Sequence, residues 1–359
     1  KLKNKVSLYY KMSGGIAQLV AVGAQDVHLV GDPQVSFFRS TYKRHTNFSQ
    51  TTERQVIQGN VSNNGMSTVR FERKGDMLGY VYLVPNSGTA ATAYSAADWM
   101  NKISKVELLV GGQVIDEQDS TYSTLIAPTL SATTSSKSVS GDFSAGGTDY
   151  RFYPLRFAFC ENWQTSLPLI SLQYHDVELR ITWGSTAATD KWDVYANYAY
   201  LDTQEREMFA AEPQNMLITQ VQKAISSGNK IQELNFNHPV KYLASAKASA
   251  LAILNDDNKL KLQINGTDVA DYKFADPNFS TVPLYYHTTN ASLGTAKTLF
   301  FYPFCLDAGK LQPTGTLNFS RLDSARLIND NQSVADNIYA VNYNVLRIEN
   351  GMGGLLYSN

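Results

Sequence analysis

The chain has 359 residues, and its 31 Lys and Arg against 32 Asp and Glu leave a net charge of −1 at pH 7. That balance excludes wrapping of nucleic acid, which needs surplus cations to displace phosphate counterions. No run of 18 apolar residues occurs, which excludes a transmembrane helix, and two cysteines, Cys160 and Cys305, exclude a disulfide framework.

At roughly 150 residues per domain the length predicts two domains. The 21 Tyr and 16 Phe, set among many Asn, Thr and Ser, match the usage of sheets joined by polar turns. The two thiols read as small buried side chains in a reducing compartment.

Residues 1–11 are basic, with a Val6–Tyr10 patch too short for a signal-peptide core, and Met12 reads as an initiator. Ile16, Leu19, Val20, Gly23 and Val27 then fall at helical spacing and predict a short amphipathic helix. Its polar face carries Gln18, Gln25 and Asp26 rather than Lys or Arg, so docking on protein is favoured over a membrane surface. Gly31-Asp32-Pro33 predicts a turn, closing an N-terminal segment over residues 1–33.

Residues 34–201 carry eight predicted strands: Gln34–Arg39, Glu53–Gly59, Ser67–Glu72, Leu78–Val84, Ile103–Val110, Phe152–Phe159, Val177–Trp183 and Val194–Leu201. Val177–Trp183 alternates strictly, so one face is in the core. Pro85–Asn101 and the Ser/Thr-rich Asp119–Asp149 read as long surface loops. Leu201–Pro213 reads as a joint. Asp202 and Glu205 form a predicted capping box, and Pro213 ends the helix over 202–213. Loss of the Asp202 cap is expected to cost about 1 kcal/mol.

Residues 214–359 carry strand patterns at Met216–Ile225, Ile231–Asn237, Val240–Ala246, Leu260–Ile264, Thr298–Phe304, Thr316–Phe319 with Ala325–Ile328, and Ile338–Ile348. Three ordered matches link the halves. Val106–Gly112 corresponds to Leu260–Gly266, Phe159-Cys160 to Phe304-Cys305, and Val194–Ala196 to Ile338–Ala340, at separations of 154, 145 and 144 residues. Each half is therefore one copy of a duplicated β domain, the second with shorter loops.

No reactive constellation is legible. His28, His45, His175, His238 and His287 lack metal-ligand spacing, and Tyr174-His175-Asp176 has no nucleophile elbow to serve. Gly351-Met352-Gly353-Gly354 lacks the Lys-Ser/Thr of a phosphate loop and reads as a tight turn. Asn255–Asn258 lacks the distant Glu of a Ca²⁺ loop. Arg39, Lys43, Arg44 and His45 form the densest positive patch and suit subunit contacts. Asn-x-Ser/Thr acceptors occur at Asn47, Asn60, Asn265, Asn278, Asn290, Asn318 and Asn331, a frequency that composition alone explains. No catalytic, cofactor-binding or metal-ligating residue is assigned.

The chain resembles the double jelly-roll major capsid proteins of nucleocytoplasmic large DNA viruses, of the algal virus and iridovirus type. The resemblance rests on Ser13-Gly14-Gly15 with Gln18–Ala21 and Gly23–Val27, on Thr41–Phe48, and on Leu167–Ile170 with Gln173–Val177. It continues through Leu201–Arg206, Leu234–Pro239, Asn318–Arg321, Asn342–Ile348 and Gly351–Leu355, spanning the chain from Met12 onward. It implies an all-β fold of two tandem eight-stranded jelly-roll sandwiches joined by a short helix. It further implies a homotrimer of pseudo-hexagonal outline that meets neighbouring capsomers and minor capsid proteins in an icosahedral shell assembled in the host cytoplasm. An N-terminal segment facing an inner viral membrane, a low tower formed by the Asp119–Asp149 loop with Lys247–Asn258 short, and glycans on outer loops complete the expectations. No direct nucleic-acid contact, cofactor or catalysis is expected. Alternatives are a minor capsid or penton-associated paralogue and a carbohydrate-binding β-sandwich.

Overall fold

The computed structural model describes residues 14–130, 151–288 and 297–358 of a chain that divides into two units, 1–46 and 47–359. In the first unit, helices Gly14–Val20 and Val27–Val30 replace the single predicted helix. The Asp26 carboxylate accepts from Gly23 N at 2.7 Å and draws the chain into a turn between them. The predicted strand Gln34–Arg39 does not form, because a strand needs a ladder partner and Val35, Phe37 and Phe38 are exposed without one in this unit.

The second unit holds all the strands of the described residues. Its first half contains β1 (Phe48–Gln55), β2 (Ile57–Gln58), β3 (Met66–Arg70), β4 (Met77–Asn86), β5 (Ile103–Val110), β6 (Gln113–Asp119), β7 (Tyr153–Pro154), β8 (Leu167–Pro168), β9 (Val177–Trp183) and β10 (Lys191–Leu201). They form two antiparallel sheets, ordered β1-β10-β4-β7 and β2-β3-β9-β5-β6. Successive principal strands cross between the sheets, as a jelly roll requires. The inner faces enclose Val69, Leu83, Trp99, Val106, Leu179 and Trp183. Strict alternation in β9 is matched by its alternating burial.

The second half repeats this plan with β11 (Gln214–Ala224), β12 (Ile231–Glu233), β13 (Pro239–Ala246), β14 (Lys259–Ile264), β15 (Thr267–Asp268), β16 (Lys273–Phe274), β17 (Leu299–Pro303), β18 (Leu317–Asn318), β19 (Ala325–Asn329), β20 (Ile338–Glu349) and β21 (Met352–Leu355). The sheet orders are β11-β20-β13-β17 and β12-β19-β14-β15. Position for position these equal β1-β10-β4-β7 and β3-β9-β5-β6. Both copies turn out of their matched strand through a left-handed dipeptide, Gly111-Gly112 (φ +57° and +82°) and Asn265-Gly266 (φ +49° and +78°), the hairpin geometry their residue types favour.

Several expectations are corrected. Of Phe152–Phe159 only Tyr153–Pro154 pairs with β4, and Ala158–Glu161 is helical. Strand β6 was not expected, since its sequence Gln-Val-Ile-Asp-Glu-Gln-Asp is polar at positions that turn out to be buried. Asp119–Asp149 is not a surface loop along its first part: residues 122–130 are helical and bury Tyr122, Ile126 and Leu130, while 131–150 lie outside the described residues. Pro85–Asn101 contributes the end of β4 and helix Ala96–Lys102, whose N-terminus is closed by a capping box between Ser95 and Asp98. Lys247–Asn258 tucks Leu251, Ile253 and Leu254 into the core.

The joint is a helix over Thr203–Ala211, but its capping box is not made. The Asp202 carboxylate, on an extended backbone, accepts from the nearer Thr203 N at 2.8 Å instead of Glu205 N. Asp76 does the anchoring: it accepts from Leu201 N at 3.0 Å and pairs with Arg206 at 3.1 Å from a buried position. We therefore expect Asp76→Ala to cost about 2 kcal/mol and Asp202→Ala under about 1 kcal/mol in urea unfolding. The reverse order would show that the cap, not the carboxylate, holds the joint. A Cβ on Gly111 would run into the His175 ring, whereas one on Gly112 meets open space. Gly111→Ala is expected to cost about 2–3 kcal/mol and Gly112→Ala about 1 kcal/mol by the same measurement, and equal costs would rule out the ring contact.

Candidate assembly surfaces

Two barrels expose more sheet than they can cover by themselves, so each uncovered face is a candidate surface. Within the chain, one such face is already occupied. Residues Tyr122, Ile126, Ala127 and Leu130, leading on from β6, pack on the outer face of β11-β20-β13-β17 against Tyr242, Ala244, Phe301, Tyr339 and Val341. All five of these second-barrel side chains are buried.

Polar groups fix the register of this seam. Asp119 Oδ2 accepts from Lys223 Nζ at 2.8 Å and from the Tyr339 hydroxyl at 2.6 Å. Burial, reinforced by the Asp119 charge, pushes the Tyr339 phenol well above its ordinary range. Asp116 accepts from Val221 N at 2.9 Å and from Gln118 Nε2 at 2.8 Å, while Gln220 donates to Ile115 O. Burial pushes the Asp116 carboxyl up to about 7 despite these donors.

A second contact is made by the turn leading into β21. Tyr174 N donates to Gly351 O at 2.9 Å, and His175 Nδ1 lies 2.9 Å from Gly353 O. Gly351 and Gly353 let the backbone approach Tyr174 and Leu172, where added Cβ atoms would stand 2.7 Å away. The glycine-rich motif is thus a close-packing device, and His175 is held at the seam with Asp176 paired to Arg70 at 2.5 Å. Ile218, Leu346 and Ile348 reach into the first barrel's core.

Among the described residues, the corresponding outer face of the first barrel is left partly exposed, with Trp163 at its rim and Phe152 set edge-on against Tyr82 at 5.9 Å. Tyr80, Tyr82, Trp163 and Tyr195 form a continuous aromatic surface: Tyr80 meets Trp163 edge-on at 5.6 Å and Tyr82 stacks on Tyr195 at 5.4 Å. Beside them is a cleft of about 560 Å³ lined also by Pro154 and Cys160. No composition signal marked these side chains as one patch, because they come from β4, β10 and the 3-10 helix Trp163–Thr165 and meet only in the fold.

The remaining sequence candidates are dispersed. Among the described residues no group of three or more His, Cys, Asp or Glu is placed to hold a metal ion. His238 sits at a turn with φ +64°, its pKa lowered by burial, and His287 Nδ1 lies 3.2 Å from Leu306 O. His28, and Arg39, Lys43, Arg44 and His45 of the basic patch, lie exposed in the 1–46 unit. Cys305 is buried and Cys160 half-buried. In Asn255–Asn258, Asn258 donates to Ala252 O and Ile253 O, and Asp256 pairs with Lys297, so the tip is spent on internal bonds. Of the Asn-x-Ser/Thr positions, Asn265, Asn278 and Asn318 use their side chains in turns, and Asn290 lies outside the described residues.

Asp116 sets a pH dependence. Its folded pKa lies above the unfolded value of about 3.9, so the folded chain holds a proton that the unfolded chain has released. Its contribution to stability accordingly falls as pH rises from about 4 to about 7 and is flat above. Asp116→Asn keeps an acceptor for Val221 N and cannot ionise. Relative to wild type it is expected to gain on the order of 2 kcal/mol between pH 5 and pH 8 in urea unfolding. A pH-independent difference would mean the carboxyl is ionised throughout.

Comparison with known proteins agrees with this architecture. Residues 36–211 match the family described as major capsid protein N-terminus, and residues 205–354 match the large eukaryotic DNA virus major capsid protein family. The major capsid protein of Pyramimonas orientalis virus is 36% identical over 97% of this chain and 100% of its own length, and that of Paramecium bursaria Chlorella virus 1 is 32% identical over the same shares. The PBCV-1 virus capsid structure superimposes with a TM-score of 0.73 at 29% identity, covering 90% of this chain and 100% of the other. Two barrels of one topology and likeness to shell proteins along nearly all of the chain lead to one assignment. The chain belongs to the major capsid proteins of large eukaryotic DNA viruses, structural components of the virion capsid.

Proposed function

We propose that the chain forms a homotrimeric capsomer in which six barrels, two from each copy, close a ring of pseudo-hexagonal outline, and that such trimers tile an icosahedral shell. The observation that carries this reading is the repetition of one sheet order in both barrels, with the outer face covered in one and, among the described residues, partly exposed in the other. A duplicated unit with one unused copy of an interface closes by meeting its own kind. The domain limits proposed with it are an N-terminal segment, a first barrel ending at 201 whose strands begin at Phe48, the joint over 202–213 and a second barrel from 214 to 359.

Assembly takes place in the host cytoplasm and involves no catalytic step. The N-terminal segment, with Leu19, Val20, Leu29 and Val30 exposed, docks on the inner side of the shell against minor capsid proteins or the inner viral membrane. Sugars, where present, sit on outward loops, and nucleic acid is not contacted directly.

Mass photometry of the purified protein tests the central claim. A species of three times the 39.8 kDa chain mass is expected, held by interfaces of more than about 2,000 Å² in total. A stable folded monomer at micromolar concentration would overturn the trimer.

A further inference from the structure

The two barrels can be equated residue by residue through their strand registers. Tyr195 of β10 stands opposite Tyr82 of β4, and Tyr339 of β20 stands opposite Ala244 of β13. Arg54 of β1 is opposite Tyr195, and Lys223 of β11 is opposite Tyr339. Pro154 pairs with Tyr82 as Phe301 pairs with Ala244. A register shift follows in both barrels at the same place, between Ala196 and Tyr198 and between Val240 and Tyr242. Tyr195, Tyr80, Pro154 and Arg54 are therefore the first-barrel counterparts of Tyr339, Tyr242, Phe301 and Lys223.

Equivalent positions differ sharply in burial. Tyr242 is 0% exposed and Tyr339 2%, whereas Tyr80 is 37% exposed and the adjoining Trp163 58%. The difference has a visible cause: the segment after β6 covers the second barrel, and Asp119 engages the Lys223–Tyr339 pair. The first barrel displays the same cation–phenol pair, Arg54 and Tyr195, with Arg54 turned to Asp193 at 2.5 Å.

The covering element also has a counterpart. Strands β15 and β16 together pair along β14 as β6 pairs along β5, Lys259 standing opposite Phe274 where Lys105 stands opposite Asp119. The chain then passes through the helical turn Ala275–Asn278 into helix Thr281–His287, as it enters 122–130 after β6. This helix buries Leu284 against its own barrel and points Val282, Tyr285 and Tyr286 outward, the last two 67% and 73% exposed. Tyr285 and Tyr286 meet edge-on at 4.9 Å and present a rigid aromatic pair.

Applying the relation that carries the first barrel onto the second once more sends this helix to a first-barrel face, and that face is another copy's, because its own chain's first barrel lies one step back. We infer that the Tyr80–Tyr82–Trp163–Tyr195 surface seats helix Thr281–His287 of a second copy of this chain, repeating between copies the seam already made within one. The inference rests on the trimer reading and names its contact. Aromatic pairs of this kind, packed in a cleft and closed from water, are the side chains that dominate interface energies.

The test uses the full chain in a Cys160→Ser background, with Trp163→Cys in one preparation and Tyr286→Cys in another. The two are mixed, dissociated and reassembled, then treated with a short bis-maleimide. A heterologous cross-linked pair that neither preparation yields alone is expected, and mixing excludes links within a chain. Separately, Trp163→Glu and Tyr286→Glu are each expected to raise the concentration at which trimers dissociate by about a hundredfold while the circular dichroism of the sheets persists. Trimers that form without the cross-link and survive both charge substitutions overturn the contact and leave the capsomer intact. Binding of a soluble glycan in the cleft of the assembled trimer overturns the contact equally, since the face is then open. A wild-type chain that stays monomeric overturns the contact together with the trimer reading.

Discussion

The pairing of Asp119 with Lys223 and Tyr339 is the constraint on which the double barrel depends. A carboxylate at the edge of an apolar seam is tolerable only with its donors in place. Those donors sit on two neighbouring strands of the other barrel, at positions directly opposite in register. A slip of one residue along β11 or β20 would turn the donors to the other face of the sheet. Apolar area supplies the bulk of the adhesion here, and the half-buried carboxylate selects one alignment of the barrels out of many of similar area.

The seam also ties the ends of the chain together. Leu346 and Ile348, from the last long strand, belong to the first barrel's core, and the β20–β21 turn lies against Gln173–His175. A barrel that borrows core residues from the far end of the sequence cannot finish packing until that end arrives. The glycines of the 351–354 motif serve this closure, since side chains there would hold the hairpin off Tyr174 and Leu172. The compact unit therefore spans 47–359 and not one barrel at a time.

Legibility in the sequence followed whether a residue's neighbours were local. Strand β9 and the hairpins at Gly111-Gly112 and Asn265-Gly266 were readable because alternation and left-handed turn residues are properties of adjacent positions. The duplication was readable for the same reason, as three short patterns in order. Strand β6 was not, because Asp116 and Gln118 look like solvent-facing residues and are buried by another domain. Residues 122–130 were missed likewise: Thr, Ala and Pro read as loop, and only the opposing sheet makes that segment a core. The error at Gln34–Arg39 has the opposite sense, an alternating pattern whose apolar side chains have no partner within their own unit. The site was the least legible part, since Tyr80, Trp163 and Tyr195 are far apart in sequence and acquire meaning only as an uncovered copy of Tyr242 and Tyr339.

Duplication supplies an economy and also a problem, because one geometry must serve a contact made once per chain and a contact made between chains. The two versions have diverged at equivalent positions in the direction the physics demands. Within a chain the partners are tethered, the effective concentration is high, and a small residue such as Ala244 suffices beneath a helix that cannot leave. Between chains the contact must offset the lost freedom of two bodies, and there the counterpart position is Tyr82, flanked by Tyr80 and Trp163. The acid that locks the internal seam, Asp119, is replaced at the matching ladder position by Phe274, exchanging a register-setting charge for apolar area. A permanent seam can spend its groups on alignment, whereas a seam found by diffusion has first to be sticky.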